Sequence, residues 1–213
     1  MATSNAAFAQ TGRKLGPRAL KTRARLLDAA AELLKERSVL DLSAAEIARK
    51  VGTSPATFYH YFKDVEEVAL ALAERAAAEM PAILELVRGP WQGEEGLETT
   101  RAIVRAFVDH WDKHHAVLQL RNLAADRGDT RFVRVRRDAL GPFLDRLAEA
   151  ISGSKAAGHI ATDLHPYVAA ASIGSMLERL AAYHNDLERF EVGRTDVIET
   201  CAQVFHQIVT GHS

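Results

Sequence analysis

Residues 43–63 read SAAEIARKVGTSPATFYHYFK, and the rest of the chain is interpreted outward from this stretch. Ser43 and Glu46 form an S-x-x-E capping box, flanked by Leu42 and Ile47 as a hydrophobic staple. Ile47, Ala48 and Val51 supply an apolar face before Gly52 stops the helix at a position that favours positive φ. Ser54 caps a second helix, and Pro55 sits at its first position, where a missing N–H costs nothing. Two short helices joined by a tight turn make the helix-turn-helix layout, which offers the start of its second helix to the major groove of DNA. Phe58 and Phe62 lie four apart and are predicted to point inward. Ala56, Tyr59, His60 and Lys63 then share the opposite face at i, i+3, i+4 and i+7. That face is polar, aromatic and basic. Local spacing alone fits equally a surface helix whose tyrosines cover a small core.

Charge separates the front of the chain from its body. The 213 residues carry a net charge of −1, so no overall field draws the protein to a polyanion. Residues 1–63, however, hold 11 Lys and Arg against 5 Asp and Glu, a net of +6. The remainder holds 16 against 23, a net of −7, which points to a front that alone meets nucleic acid. The length allows one or two domains with a substantial core, and 47% hydrophobic residues, 7% aromatics and 6 prolines suit a helical one. Cys201 is the single cysteine, which excludes an intrachain disulfide and a multi-thiolate zinc site. The N-terminus lacks an apolar signal core, and no apolar run approaches membrane length, so a cytoplasmic protein off the membrane is expected.

Residues 1–17 are small and polar and read as a flexible basic arm, either adding phosphate or minor-groove contacts or simply solvated. From Arg18 to about Glu36, Leu20, Leu27, Ala30 and Leu34 repeat at helical spacing, with Leu26 and Leu33 widening the stripe. Lys21, Arg23 and Arg25 put positive charge near the start of that helix, where its dipole disfavours it, and a nearby phosphate would remove the conflict. Asp64 and Glu67 open a long helix that Pro81 should kink or end. Further helices are predicted over about 95–115, 116–127, 130–152 with an interruption at Gly141-Pro142, 165–185, and a last one stopping at Gly211. No strand is predicted.

The run TRARLLDAAAELLKERSVLDLSAAEIARKVGTSPATFYHYFKDVEEVALAL resembles the TetR family of transcriptional regulators. The likeness lies in the long first helix, the motif ending in T-F-Y-x-Y-F, and the helix that follows at once. A looser likeness to actinobacterial members lies in F-V-x-H-W-x-x-H-H-A-V (Phe107–Val117) and in MLER (Met176–Arg179). The resemblance implies an all-α protein: a flexible arm over 1–17, a helix-turn-helix DNA-binding domain over 18–64, and a helical ligand-binding and dimerisation domain over 65–213. It puts Pro55, Ala56, Thr57 and His60 where base edges or methyl groups are touched. Thr53, Tyr59, Tyr61 and Lys63 fall where the phosphate backbone is held, with Ser54 at the cap between them. Family members carry a lysine where this chain has Val65, and Lys63 is placed to stand in for it. No arginine occupies Ala44 or Ala45 to read guanine.

The family resemblance also implies a homodimer through the last two helices, binding double-stranded operator DNA and released by a small-molecule effector. Ala169-Ala170-Ala171-Ser172 with Gly174 offers small side chains for close helix approach, and Val197, Cys201, Val204 and Ile208 stripe the final helix. These stripes serve either a partner or their own bundle. Met80, Phe107, Trp111, Met176 and Tyr183 are the candidates for a lipophilic pocket, or are plain core. His110, His114 and His115 form H-x3-H-H, but Asp112 points around the helix, so solvated histidines at a helix end and no metal are expected. Arg131, Arg134, Arg136 and Arg137 read as a solvated face paired with acids, the alternative being a grip on an acidic headgroup. No Ser/His/Asp or Cys/His arrangement, glycine-rich phosphate loop or paired-carboxylate motif occurs, so no catalytic residue and no cofactor is expected. A repressor is therefore the favoured reading. A helical interaction module or a small-molecule enzyme is the alternative, and the basic front argues against both.

Overall fold

The local signals at residues 43–55 produce the turn they predict. In the computed structural model, which describes residues 15–160 and 163–211, helix α2 spans Ala44–Val51. The backbone N–H of Glu46 donates to Ser43 Oγ at 3.2 Å, and the Ser43 N–H donates back to Glu46 Oε2 at 3.1 Å. Gly52 ends α2 at φ 74°, a left-handed conformation that would cost a β-carbon about 1–2 kcal/mol. That twist brings the Thr53 N–H onto the Ala48 carbonyl at 2.9 Å. Helix α3 follows at Pro55–Tyr61, with Ser54 Oγ accepting from the Thr57 N–H at 3.2 Å. Helix α1, Pro17–Leu33, precedes the pair and buries Leu26, Leu27, Ala30 and Leu34. Leu20, expected in that stripe, is instead 44% exposed, because it lies a full turn or more ahead of the part of α1 that meets α2.

The chain divides into two compact units. The first runs through Arg75 and takes in Ala116–Val133; the second comprises Ala76–His115 and the residues from Arg134 onward. Helix α4, Val65–Ala77, starts as its capping signal requires: the Glu67 N–H donates to Asp64 Oδ1 at 2.8 Å, and Glu67 Oε2 accepts from the Lys63 N–H at 2.6 Å. This helix ends at Ala77, four residues before Pro81, which cannot donate to the Ala77 carbonyl and crowds it. Pro81 itself sits in the first turn of a new helix, α5 (Met80–Leu86), where its missing N–H is harmless.

The second unit carries the larger core. The two helices expected between 95 and 127 follow one another within α6, Gly93–Asp126, and meet at a kink at His114, whose φ of −122° and ψ of 17° leave the helical range. Helix α7, Thr130–Ala156, runs through Pro142 without the expected break. The reason is a buried ladder at steps of four, Val135, Ala139, Phe143, Leu147 and Ile151. Each large side chain in it contributes about 1.5–3 kcal/mol on burial, enough together to outweigh the roughly 3 kcal/mol cost of an interior proline. Helix α8, Pro166–Tyr183, and helix α9, Arg194–Thr210, are in contact, and Ile173 and Leu177 of the one and Cys201, Ala202 and Phe205 of the other are buried. Burial pushes the Cys201 thiol above its ordinary pKa, so it behaves as a small core residue. The Phe107 and Phe143 rings meet edge to face at 5.0 Å. Among the described residues there is no strand, and no helix is long and apolar enough to cross a membrane. The N-terminal arm lies almost wholly outside the described residues.

Ser43→Ala removes the cap of α2 and should destabilise the protein by about 1 kcal/mol. A lower midpoint in denaturant at unchanged slope is the expected result, and an unchanged midpoint would show that Glu46 holds the helix start alone.

Candidate nucleic-acid interface

The faces of α3 separate as its periodicity demands. Phe58 and Phe62 are fully buried and tilt against each other at 5.7 Å between ring centroids. Ser54, Pro55, Ala56, Tyr59 and His60 are exposed, and Thr53 and Thr57 are half-buried. Tyr59, at 53% exposure, projects its phenol outward while its ring edge leans on Phe58 at 5.4 Å. The Ser54 and Thr57 hydroxyls lie 3.1 Å apart and share the cap, so their groups are already committed to starting the helix.

Two of the expected positions differ from the sequence reading. Tyr61 is only 8% exposed, a core residue of the first unit rather than part of the outer face. One residue determines this: two steps of about 100° from exposed Tyr59 bring position 61 back toward Phe58. Lys63 is exposed but does not share the face of Ala56 and Tyr59, because α3 ends at Tyr61 and Phe62 is extended at φ −136°, ψ 135°. Lys63 therefore sits in the link to α4, with its backbone N–H held by Glu67. Val65, where the family resemblance expects a lysine, is half-buried in the first turn of α4.

Several of the basic residues at the front have internal uses. Arg25 Nη2 donates to the Val51 carbonyl at 2.8 Å, placing a cation on the carbonyl end of α2, where the helix dipole favours it. The Arg23 guanidinium lies 4.8 Å from the centre of the Phe62 ring; burial pushes its pKa down against the pull of Glu67 and Glu74. Arg37 Nη1 donates to Glu46 Oε1 at 2.8 Å, and this bond with that from Ser43 holds the Glu46 carboxyl below its ordinary pKa. The charge conflict at the start of α1 is thus met within the protein for Arg23 and Arg25. Arg18, Lys21, Arg49, Lys50 and Lys63 remain exposed.

The remaining candidates lie in different environments. Met80, Phe107 and Trp111 are buried in the second unit, with the Trp111 indole N–H donating to Glu178 Oε1 at 3.2 Å. Met176 is half-buried, and Tyr183 is exposed with the Arg179 guanidinium 3.9 Å from its ring centre. Two arginines of the run are paired with acids: Arg131 Nη2 meets Asp129 Oδ2 at 2.6 Å and Glu66 Oε1 at 2.7 Å, and Arg137 meets Asp138 at 3.0 Å. Hydrogen bonding from Arg131 holds the Asp129 carboxyl down to about 2. His110 is not solvated as expected but 7% exposed, and Glu79 brings a carboxylate to it and to His114 from 31 residues upstream. Nothing in the local sequence signals that approach.

Residues 26–72 match the family model described as bacterial regulatory proteins, tetR family, and residues 83–213 match that of the tetracyclin repressor-like C-terminal domain. The chain belongs to the TetR family. A relative from Haemophilus influenzae, named an uncharacterized HTH-type transcriptional regulator, is 29% identical over 133 residues, covering 62% of this chain and 64% of its own length. The chain thus spans less than two thirds of that relative. Among solved structures, SmeT, the repressor of the Stenotrophomonas maltophilia multidrug efflux pump SmeDEF, is 18% identical with a TM-score of 0.60, over 88% of this chain and 89% of its own. It is also represented by a SmeT–triclosan complex. Thermus thermophilus FadR, a TetR-family transcriptional repressor in complex with lauroyl-CoA, is 23% identical with a TM-score of 0.53, over 90% of this chain and 95% of its own. At these identities the likeness to the two structures shows the fold.

Within this TetR-family front, Phe58→Ala should cost about 3–5 kcal/mol of stability, whereas Tyr59→Ala should stay within about 0.5 kcal/mol of the parent. Equal losses in thermal or denaturant unfolding would mean that α3 is turned differently about its axis.

Proposed function

We propose that this TetR-family chain is a sequence-specific DNA-binding regulator that acts as a homodimeric repressor and is released from its operator by a small lipophilic effector. The observation that carries the reading is the exposed Pro55, Ala56, Tyr59 and His60 surface on a helix capped at Ser54. Pro55 and Ala56 offer apolar contact to a thymine methyl, His60 a hydrogen bond to a base edge, and the Tyr59 hydroxyl and Lys63 ammonium suit phosphate oxygens. Thr53, Ser54 and Thr57 join this set through the same edge of the helix. Tyr61 is assigned a packing role, on the strength of its burial.

A dimer is favoured because one helix-turn-helix buries too little DNA for a high specificity ratio. Support for α8 and α9 as the partner face comes from Tyr167 and Val168 on α8 and Val204 on α9, all exposed in the single chain. The small residues of α8 serve another purpose. A β-carbon at Gly174 would meet Leu144 of α7 at 2.7 Å, so the close approach there is within the bundle. Met80, Phe107, Trp111 and Met176 are the proposed effector lining, with Tyr183 at the exposed end of α8. The lauroyl-CoA and triclosan complexes of two fold neighbours support an apolar ligand class. Such a ligand must bind one arrangement of the dimer more tightly than the other, or it shifts nothing.

Selection of bound fragments from the source genome tests the reading directly, since operators flank the genes they control. Affinity for a selected operator should fall by about a thousandfold or more between about 50 and 200 mM salt; a flat response in a mobility shift would instead favour a protein-interaction module. Tyr59→Phe should weaken binding to all sequences alike, while substitutions at Ala56 or His60 should change the ranking of operators. Unchanged affinity of Tyr59→Phe at every operator would remove the phosphate role assigned to its hydroxyl.

A further inference from the structure

His110 and His114 lie one turn apart on α6, a spacing that sets two imidazoles on one face of a helix. Their rings are 5.0 Å apart and inclined at 59°. Glu79, in the short link between α4 and α5, reaches the same point. Its Oε2 lies 3.0 Å from His114 Nε2 and 3.7 Å from His110 Nδ1, and one donor atom from each of the three residues falls within 4.8 Å of the others. In a tetrahedral site with metal–nitrogen bonds of about 2.0–2.1 Å, neighbouring donors stand about 3.3–3.4 Å apart. The two glutamate–histidine separations bracket that value.

The surroundings fit a built site better than a chance surface cluster. His110 is buried, His114 nearly so, and Glu79 is partly open to solvent, which leaves one side for a fourth ligand. Lys113 Nζ holds the other carboxylate oxygen, Glu79 Oε1, at 2.8 Å and so orients Oε2 toward the imidazoles. Asp112, the acid nearest in sequence, is engaged elsewhere by Arg194 and His184. Arg194 also holds Asp109.

We propose that Glu79, His110 and His114 bind one divalent transition-metal ion per chain, with a solvent molecule or exogenous ligand at the fourth position. Two imidazoles and one carboxylate select zinc and its first-row neighbours over magnesium or calcium, which prefer all-oxygen sets. A bound ion would tie the start of α5 to α6 at its bend. The site stands on side chains of the second unit and does not depend on the DNA-binding reading.

The test uses full-length, tag-free protein stripped with a chelator. Titration with Co2+ should give one equivalent per chain with the visible absorption of a four-coordinate nitrogen–oxygen site, and Zn2+ should displace it. Equilibrium dialysis with Zn2+ should give the same stoichiometry. Glu79→Gln and His114→Gln should each weaken Zn2+ binding by about a hundredfold or more, since even outer-shell losses reach about that size. His115→Gln, on an exposed residue outside the cluster, should leave binding unchanged. His110 is buried, so the argument rests on the other two variants, with circular dichroism and thermal melting confirming that they fold. Substoichiometric binding in the parent, or undiminished binding in either Glu79→Gln or His114→Gln, would overturn the site and leave the cluster as an ion-paired structural contact.

Discussion

The burial of Phe58 and Phe62 is the constraint on which the front of this protein depends. With both rings fully excluded from water, α3 has a single rotational setting about its axis, and each ring contributes about 1.5–3 kcal/mol to holding it. Tyr59 and His60 are then outside because 58 and 62 are inside. Neither the cap at Ser54 nor the turn at Gly52 could do this alone: they decide where the helix begins, not which side it shows. The Arg23 guanidinium over Phe62 and the Arg25 contact to Val51 fasten α1 to the same arrangement.

Those two arginines change the meaning of the basic front. A net of +6 over residues 1–63 looks like an electrostatic footprint, yet part of that charge is engaged within the fold. Arg25 stabilises a helix end, Arg23 packs on an aromatic ring, and Arg37 secures the capping glutamate. The positive charge left at the surface is that of the exposed set, including Arg49, Lys50 and Lys63. Lys63 stands in a link rather than on the helix, since α3 ends at Tyr61.

The body distributes its small and large residues by the same logic. Ala170 is buried and Gly174 lies close against Leu144 within the bundle of α8, while Tyr167, Val168 and Val204 are left exposed in the single chain. In the proposed dimer a second copy covers that surface, an isologous contact using the same patch twice. The histidine–glutamate cluster is a separate feature of the second unit, with His110 buried and Glu79 and His114 half-buried.

What could be read in the sequence was local and periodic. The caps at Ser43 and Ser54, the left-handed stop at Gly52 and the inward pair Phe58 and Phe62 all follow from backbone geometry within a few residues, so they needed no knowledge of the rest. The helical body was legible for the same reason. The tertiary structure alone decided matters in which distant residues compete for one group. It made Arg25 a partner of Val51, carried α7 through Pro142 on a continuous buried ladder, took Tyr61 into the core, and brought Glu79 to His110. Each of these turns on contact energy between separate segments, and spacing along a single helix does not encode which segment arrives.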